Sequence, residues 1–544
     1  MKTLIKNDVE LFFESLKGAF KGHLLELKII SPNHLHLVIE KDYLTIILEY
    51  ISGHTELKSS LVTMTVTDER HLNGNFKLYT VFSFFLPSDT NVLVTFEIAL
   101  GKENPTYPAL SQRLPSADWY EREIHDLFGI IPQGIELDPL VLHRDWPRGK
   151  HFPMRRDFLL DKQIPISEVS HEFSQPHGDG MYQIAVGPIH AGIIEPGHLR
   201  FCVIGEEIYK FDAQLFYTHK GIEKMAEGKS IEDVLNLAEH ICGMCAYAHS
   251  NAFCLAIETL GNIEVPKRSI FIRTICLELE RISSHMADLM AITSSGGFGF
   301  GASHASRLRE MIMRLIHNLT GHRFLRGLNT IGGLKKNISD DLFQILFTEL
   351  EKFKNQFQEW EKLILNTDSL LDRLESTGFI SLKMADSLGL VGPSARGSGI
   401  DKDVRRDFPY LAYKDYAFKV PVYEDGDALT RTQVRIDEVY NSLKLIKKLV
   451  EDLPSGDIVS VVPKQFPAYE HRLGIVESAK GELVHSIMLD TESKIFRFHV
   501  RSASYMNWRG MAQATMGEDN LKNIVPDGPL VNKSFNLCYA CVDR

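Results

Sequence analysis

The sequence predicts two fold classes in one chain, an α+β domain in front and a mainly α-helical domain with small β-sheets behind it. Three observations predict this. Within residues 1 to about 100, Val62, Met64 and Val66, then Val92, Val94, Phe96 and Ile98, recur with period two, the mark of half-buried strands. Beyond residue 270 the apolar residues recur every three or four positions, as on amphipathic helices. At 544 residues the chain is also too long for a single core.

The elements follow in order. An amphipathic helix carrying Val9, Phe12, Phe13 and Leu16 opens the first domain, and the strands come after it. The domain closes with Trp119-Tyr120-Glu121-Arg122-Glu123-Ile124-His125-Asp126-Leu127-Phe128-Gly129-Ile130 and an Arg- and Pro-rich loop from Asp145 to Asp157. Nothing among those charges makes a metal or nucleophile set, so chemistry alone assigns them to a solvated or docking face. Periodicity lapses over 163–180, which reads as a linker between domains at 1–162 and 181–544. A hairpin is expected over 198–212, turning at Gly205-Glu206.

Helices follow. Ile275, Leu279, Ile282, Met286 and Leu289 share one face, as do Leu308, Met311, Leu315 and Leu319, and Leu342, Leu346, Leu350, Phe353, Phe357, Trp360 and Ile364. A further helix is expected from about Gln433 to Leu453, which makes the second domain a bundle with short sheets added. The glycine-rich piece from Gly296 to Gly301 lacks dinucleotide spacing after a strand and reads as a mobile loop. Strands at Arg472–Glu477 and Leu483–Leu489 leave Lys480 at the tip of a turn. A cation there is ordinarily solvated, and matters only if the tip faces a metal.

With 44% apolar and 24% charged residues the composition is that of a soluble globular protein. No apolar run approaches the ~20 residues that cross a bilayer, and the start lacks a secretory segment, so a cytoplasmic location is expected unless a partner carries the chain to a membrane. The net charge of -11 gives no footprint for nucleic acid. Seven cysteines, an odd number, argue for reduced thiols. Cys202, Cys254 and Cys276 lie among apolar residues and read as packing.

The other four form two pairs, Cys242-Gly243-Met244-Cys245 and Cys538-Tyr539-Ala540-Cys541. Four thiolates select a soft metal such as zinc, nickel, copper(I) or iron, and a two-residue gap lets both sulfurs of a pair reach one ion. The fold must therefore return the end of the chain to residue 242. Spacing alone allows a structural zinc. Against it, a zinc knuckle is usually local, and little chain follows the second pair for a metal to staple.

The stretch Glu239-His240-Ile241-Cys242-Gly243-Met244-Cys245-Ala246-Tyr247-Ala248-His249-Ser250, with Cys538-Tyr539-Ala540-Cys541, resembles the two cysteine motifs of nickel-iron hydrogenase large subunits. The segment 119–130 and the loop after it resemble the 30-kilodalton-type subunit of respiratory complex I. One chain with both is similar to the large subunit of membrane-bound, complex-I-related (group 4) hydrogenases of the formate hydrogenlyase type. The second domain then implies the fold shared by hydrogenase large subunits and the complex I 49-kilodalton subunit.

By that resemblance Cys242 and Cys538 would be terminal nickel ligands, and Cys245 and Cys541 would bridge nickel and an iron that holds carbon monoxide and cyanide. Such a site splits dihydrogen heterolytically or forms it. Glu195 would pass protons to and from a thiolate, and Glu223 would sit beside a metal or water site. His249 would hydrogen-bond near a bridging sulfur. Glu280, Arg281 and His285 match a family helix, as a polar path or as a self-satisfied core cluster.

Departures stand beside the matches. His240 replaces the usual arginine, and Asn536-Leu537 the usual Asp-Pro before the second pair. Ala479-Lys480-Gly481 replaces a Pro-Arg-Gly turn, so Lys480 keeps the charge above the open metal position without the planar fork. Arg544 stands where many hydrogenases end in a magnesium-binding histidine, which leaves magnesium a doubtful cofactor.

The resemblance implies a membrane-associated catalytic subunit at the cytoplasmic face, exchanging electrons with formate or another low-potential donor. Three scattered cysteines cannot bind an iron-sulfur cluster, so such clusters belong to partners. These are a small hydrogenase subunit with a 4Fe-4S cluster, ferredoxin-like electron-transfer subunits, integral membrane complex-I-like subunits and maturation proteins, with formate dehydrogenase as a candidate donor. The competing expectation is a complex-I-like structural, coupling or quinone-site subunit with zinc or no metal at the four cysteines.

Overall fold

The computed structural model describes residues 2–54, 58–86, 91–143, 145–161, 163–167, 178–190, 194–518 and 520–544. Residues 168–177 of the expected linker lie outside them. The chain divides into two compact units, Met1–Ser174 with Ser387–Gly389, and Gln175–Asp386 with Leu390–Arg544.

In the first unit, α1 (Lys2–Ala19) precedes β1 (Leu24–Ser31), β2 (His34–Ile39), β3 (Lys58–Glu69), β4 (Asn75–Phe85) and β5 (Asn91–Gly101). The sheet order is β1-β2-β5-β4-β3, antiparallel except where β2 runs parallel to β5. Period-two apolar residues fix its core face, where Phe12 of α1 packs against Phe84 and Phe20, just after the helix, against Phe96, ring centroids 5.1 and 5.5 Å apart.

The segment 119–130 is not a solvated face. It forms α2 (Asp118–Phe128), with Glu121 and Glu123 buried. Glu121 accepts the backbone N–H groups of Leu110 and Ser111 at 2.7 and 3.3 Å. Asp126 accepts those of Leu140, Val141 and Leu142 at 2.8, 2.9 and 3.3 Å. Loops that would strand their donors end instead on these carboxylates.

The second unit begins with an antiparallel sheet of β6 (Met181–Val186), β7 (His198–Ile204) and β8 (Glu207–Gln214), its last two strands forming the expected hairpin. Helices α3 (Ile231–Glu239), α4 (Ala246–Leu260), α5 (Lys267–Ser295), α6 (Gly299–Thr320), α7 (Asp340–Leu365) and α8 (Ala428–Glu451) build the bundle. Then come the antiparallel strands β9 (Arg472–Ser478), β10 (Gly481–Leu489) and β11 (Ile495–Arg501), and helices α9 (Ala503–Met516), α10 (Asp527–Phe535) and α11 (Tyr539–Asp543). The glycine-rich piece is half helix, because α6 begins at Gly299, and the Gly301 carbonyl accepts the Trp360 indole N–H of α7 at 2.8 Å.

At the centre lies α5, packed by α4, α6, α8 and α10. It is buried on nearly every side, charged residues included. Such burial stands only if each charge is paired. Arg281 donates to the carbonyls of Ser478 and Glu477 at 3.0 and 2.6 Å and lies 3.3 Å from Glu278. Glu278 also takes Arg405, Tyr413 and Ser442. Arg281 and His285 do not satisfy one another. Both turn to Glu438 of α8, at 3.7 and 2.6 Å. Among the described residues no helix is long and apolar enough to cross a membrane.

Candidate metal centre

Each cysteine pair sits at a helix start. Cys242 lies in the loop after α3 and Cys245 immediately before α4, while Cys538 immediately precedes α11 and Cys541 lies within it. Met244 N donates to the Cys242 sulfur at 3.1 Å, and Cys541 N to that of Cys538 at 3.4 Å.

The end of the chain reaches this point because Asp543 accepts Phe216 N, Thr218 N and the Thr218 hydroxyl at 2.8, 3.0 and 2.7 Å. Lys220 N donates to the Arg544 carbonyl at 2.7 Å. Cys242 and Cys538 then stand 3.2 Å apart, sulfur to sulfur, and Cys245 and Cys541 3.3 Å. These gaps are far beyond a disulfide's ~2.05 Å, and the seven cysteines are free. Cys242, Cys245 and Cys541 all lie within 4.8 Å of one another. Hydrogen bonds from Cys245, Cys538 and Cys541 hold Cys242 well below the thiol range, and the three donors are raised correspondingly. Four converging sulfurs are a donor set that fits a soft metal.

Several groups surround them. His249, fully buried on α4, points Nε2 at the Cys541 sulfur, 3.6 Å away, and Nδ1 at His485 Nε2, 2.9 Å away. Burial pushes His249 down to about 4. Glu280 of α5 caps α4 by accepting Tyr247 N and Ala248 N at 2.7 and 2.9 Å, while burial pushes its carboxyl up to about 8.

Lys480 is not solvated. It is 5% exposed and ion-paired with Asp288 of α5. The turn that carries it lies flush on Gly392, where a Cβ would meet the Lys480 carbonyl at 2.3 Å. Asp288 also takes the Asn536 side-chain amide and the Arg435 guanidinium, the latter at 3.0 Å. Burial alone would raise Asp288, but Lys480, His285 and Arg435 outweigh it and hold the carboxyl well below its usual range. Asn536, at φ 44, ends α10 in the left-handed conformation that Asn tolerates. The two departures at 480 and 536 therefore meet on one carboxylate.

Glu195 is half-buried, and residues 191–193 before it lie outside the described residues. Its loop presses on the second cysteine motif, since a Cβ on Gly197 would meet the Tyr539 ring at 2.4 Å. Burial, with the charges of Asp543 and Glu195 adding to it, pushes the Tyr539 hydroxyl up to about 12. Glu223 lies deeper, 2.8 Å from Arg497, 2.9 Å from Arg544 and 3.2 Å from His499, and accepts Val500 N at 3.0 Å. Its counter-charge comes from these side chains. His240 is exposed at the end of α3 and hydrogen-bonded to the Asn236 carbonyl at 2.7 Å.

Sequence reasoning did not single out Asp288 or His485. Asp288 gives no local signal. His485 gives one, a lone imidazole in the mostly apolar run of β10.

Three family models match parts of the chain, the respiratory-chain NADH dehydrogenase 30 Kd subunit over residues 37–163, nickel-dependent hydrogenase over 220–291, and the NADH dehydrogenase 49 Kd subunit over 297–474 and 464–544. Formate hydrogenlyase subunit 5 of Escherichia coli K12 is 32% identical, covering 98% of this chain and 93% of that protein. Hydrogenase-4 component G of the same organism is 30% identical, covering 99% and 93%. An NADH-quinone oxidoreductase subunit of Chloroherpeton thalassium is 34% identical over 58% of this chain and 77% of its own. Among solved structures, a chain of the membrane-bound sulfane sulfur reductase, an archaeal respiratory membrane complex, superposes with TM-score 0.63 at 27% identity, covering 68% of this chain and all of that one.

Proposed function

We propose, for a chain that belongs to the family of complex-I-related (group 4) nickel-iron hydrogenase large subunits of the formate hydrogenlyase type, with a complex I 30-kDa-like domain fused in front, that it is the catalytic subunit of a membrane-associated hydrogenase. It reduces protons to dihydrogen, or oxidises dihydrogen, in exchange with formate or another low-potential donor. The single observation that carries this is the convergence of four unbridged cysteines, three of them buried, from motifs almost three hundred residues apart.

Cys242, Cys245, Cys538 and Cys541 would hold the nickel-iron centre, which supplies heterolytic splitting or formation of dihydrogen when bound. Around it the protein moves and places protons. Cys541 faces the His249 Nε2 at 3.6 Å. Glu195, on the loop that presses Tyr539, passes protons to and from a thiolate. Lys480, pinned by Asp288, sets a fixed positive charge over the site. Glu223 joins the ligand set only if an ion displaces its arginine partners.

Residues 1–162 are the docking domain and 181–544 the catalytic domain. Electrons arrive from a partner carrying a 4Fe-4S cluster, and integral membrane subunits anchor the assembly at the cytoplasmic face. The likeness to the NADH-quinone oxidoreductase subunit of Chloroherpeton thalassium favours one competing reading, a coupling protein with zinc or no metal.

Elemental analysis with infrared spectroscopy, on the complex purified without oxygen, separates the two. Nickel, iron and bands from bound carbon monoxide and cyanide are expected. Zinc or no metal would overturn the hydrogenase reading.

A further inference from the structure

His249 touches sulfur, but the structure gives it a partner of its own. His485 is fully buried on β10, and its Nε2 lies 2.9 Å from His249 Nδ1. This approach is built into the backbone. In the β9–β10 register Gly474 is paired with His485, and a Cβ on Gly474 would meet the Ala252 carbonyl of α4 at 1.8 Å. Only a glycine lets the strand pair lie flush on α4, bringing His485 to the helix one turn from Ala252. Phe498 of β11 holds the ring edge-on, centroids 5.1 Å apart at 75°.

The hydrogen bond between the two imidazoles can run either way, and one atom decides which. His485 Nδ1 is buried with no hydrogen-bond partner. Were the bond to run from His249 to His485, the His485 proton would sit on Nδ1, a buried N–H without an acceptor. An orphaned donor costs about 1–3 kcal/mol and is rarer in proteins than an unused acceptor. Protonating either ring to imidazolium does not escape this. A charged His249 still donates to His485 Nε2, and a charged His485 carries both protons. Only one arrangement leaves Nδ1 bare. In it His485 Nε2–H donates to His249 Nδ1, and His249 keeps its single proton on Nε2, facing the Cys541 sulfur 3.6 Å away. Bound to a metal, the Cys541 sulfur would be a thiolate, which accepts and cannot donate, so the same direction would suit both ends of the chain.

We propose that His485 is a positioning residue, which fixes the His249 proton on Nε2 so that Cys541 receives an N–H donor. No step of chemistry belongs to His485. Its effect on the metal centre rests on the hydrogenase reading above, whereas the tautomer does not.

The test is the imidazole 15N spectrum of the full-length, metal-free chain carrying 15N-histidine, with His249 assigned by its loss in His249→Gln. The Nε2–H form of His249 is expected to exceed the Nδ1–H form by at least tenfold. His485→Phe, which removes the donor, is expected to collapse that ratio toward unity, and His485→Gln, whose amide can donate, to restore it. A wild-type His249 protonated on Nδ1 would overturn the proposal, as would a ratio that the Phe variant leaves unchanged. The wild-type spectrum alone decides if the Phe variant does not fold.

In metal-loaded protein, a shift of the iron-bound carbon monoxide and cyanide bands in His485→Phe, reversed in His485→Gln, is expected. Absence of those bands from wild type would end the hydrogenase reading and leave the tautomer result standing.

Discussion

Replacing Asp288 by Asn removes the one carboxylate on which Lys480, Asn536 and Arg435 converge. The site is dry, with Asp288 fully buried, Arg435 1% and Lys480 5% exposed. At an effective dielectric of about 20, a unit pair 3.0 Å apart interacts by about 5.5 kcal/mol. Part of that offsets the desolvation of both partners, so the net penalty for stranding the cations is about 3–5 kcal/mol. Asn still accepts a hydrogen bond but leaves Lys480 and Arg435 without a counter-charge. Truncating Lys480 to Met as well removes one of the stranded cations. Urea unfolding of the full chain should therefore show Asp288→Asn losing about 3–5 kcal/mol. The double variant should fall short of the sum of the single losses by about 2–3 kcal/mol, the coupling of directly contacting groups. A loss under about 1 kcal/mol, or costs that simply add, would refute the picture of one anion holding the network.

Three further outcomes are expected. Lys480→Arg should raise hydrogen turnover, because the planar fork orients better than an ammonium; turnover that falls or stays level in an amperometric assay contradicts this. Glu121→Gln should flatten a pH dependence in the first unit, since burial pushes Glu121 up to about 7 in the fold against about 4.3 unfolded. Between those values the native state holds a proton that the unfolded state has released, so stability falls by ~3–4 kcal/mol as pH rises from about 4.5 to 7 and levels above. Hydrogen exchange of residues 58–128 at pH 5 and pH 8 reads this directly, and equal protection at both counts against it. Gly474→Ala should force β9 away from α4, lowering stability by roughly 1–3 kcal/mol and unlocking the His249 tautomer; an unchanged 15N spectrum would show that the close approach is not what sets the pair.

Much of this was legible in the residues. The period-two runs became β3 and β5, and the long apolar stripes became α5, α6 and α7, because each pattern matches the burial its element requires. The four cysteines announced their convergence because no other arrangement uses them. What stayed hidden depended on distant partners. Lys480 at a turn looks solvated until Asp288, 192 positions earlier, is placed beneath it. Glu121 and Asp126 look like surface charges until the loops at 110 and 140 bring their N–H groups. Glu280, Arg281 and His285, close together on one helix, look self-satisfied until Glu438 arrives from α8 to take the last two. Gly299 and Gly301 are poor helix formers, and packing against α7 overrides that preference.

The stitch between Asp543 and residues 216–218 also puts a clock on the site. Cys538 follows Cys242 by 296 positions. At about 5–20 residues per second the ribosome needs roughly 15–60 s to make the second pair after the first. During that interval Cys242 and Cys245 form an open two-thiol claw that any soft ion can visit. Closing so long a loop is cheap, each doubling of length adding only about 0.6 kcal/mol. Under the proposed hydrogenase reading, the order in which a metal and Cys538 and Cys541 arrive would then bear on which ion the four sulfurs hold.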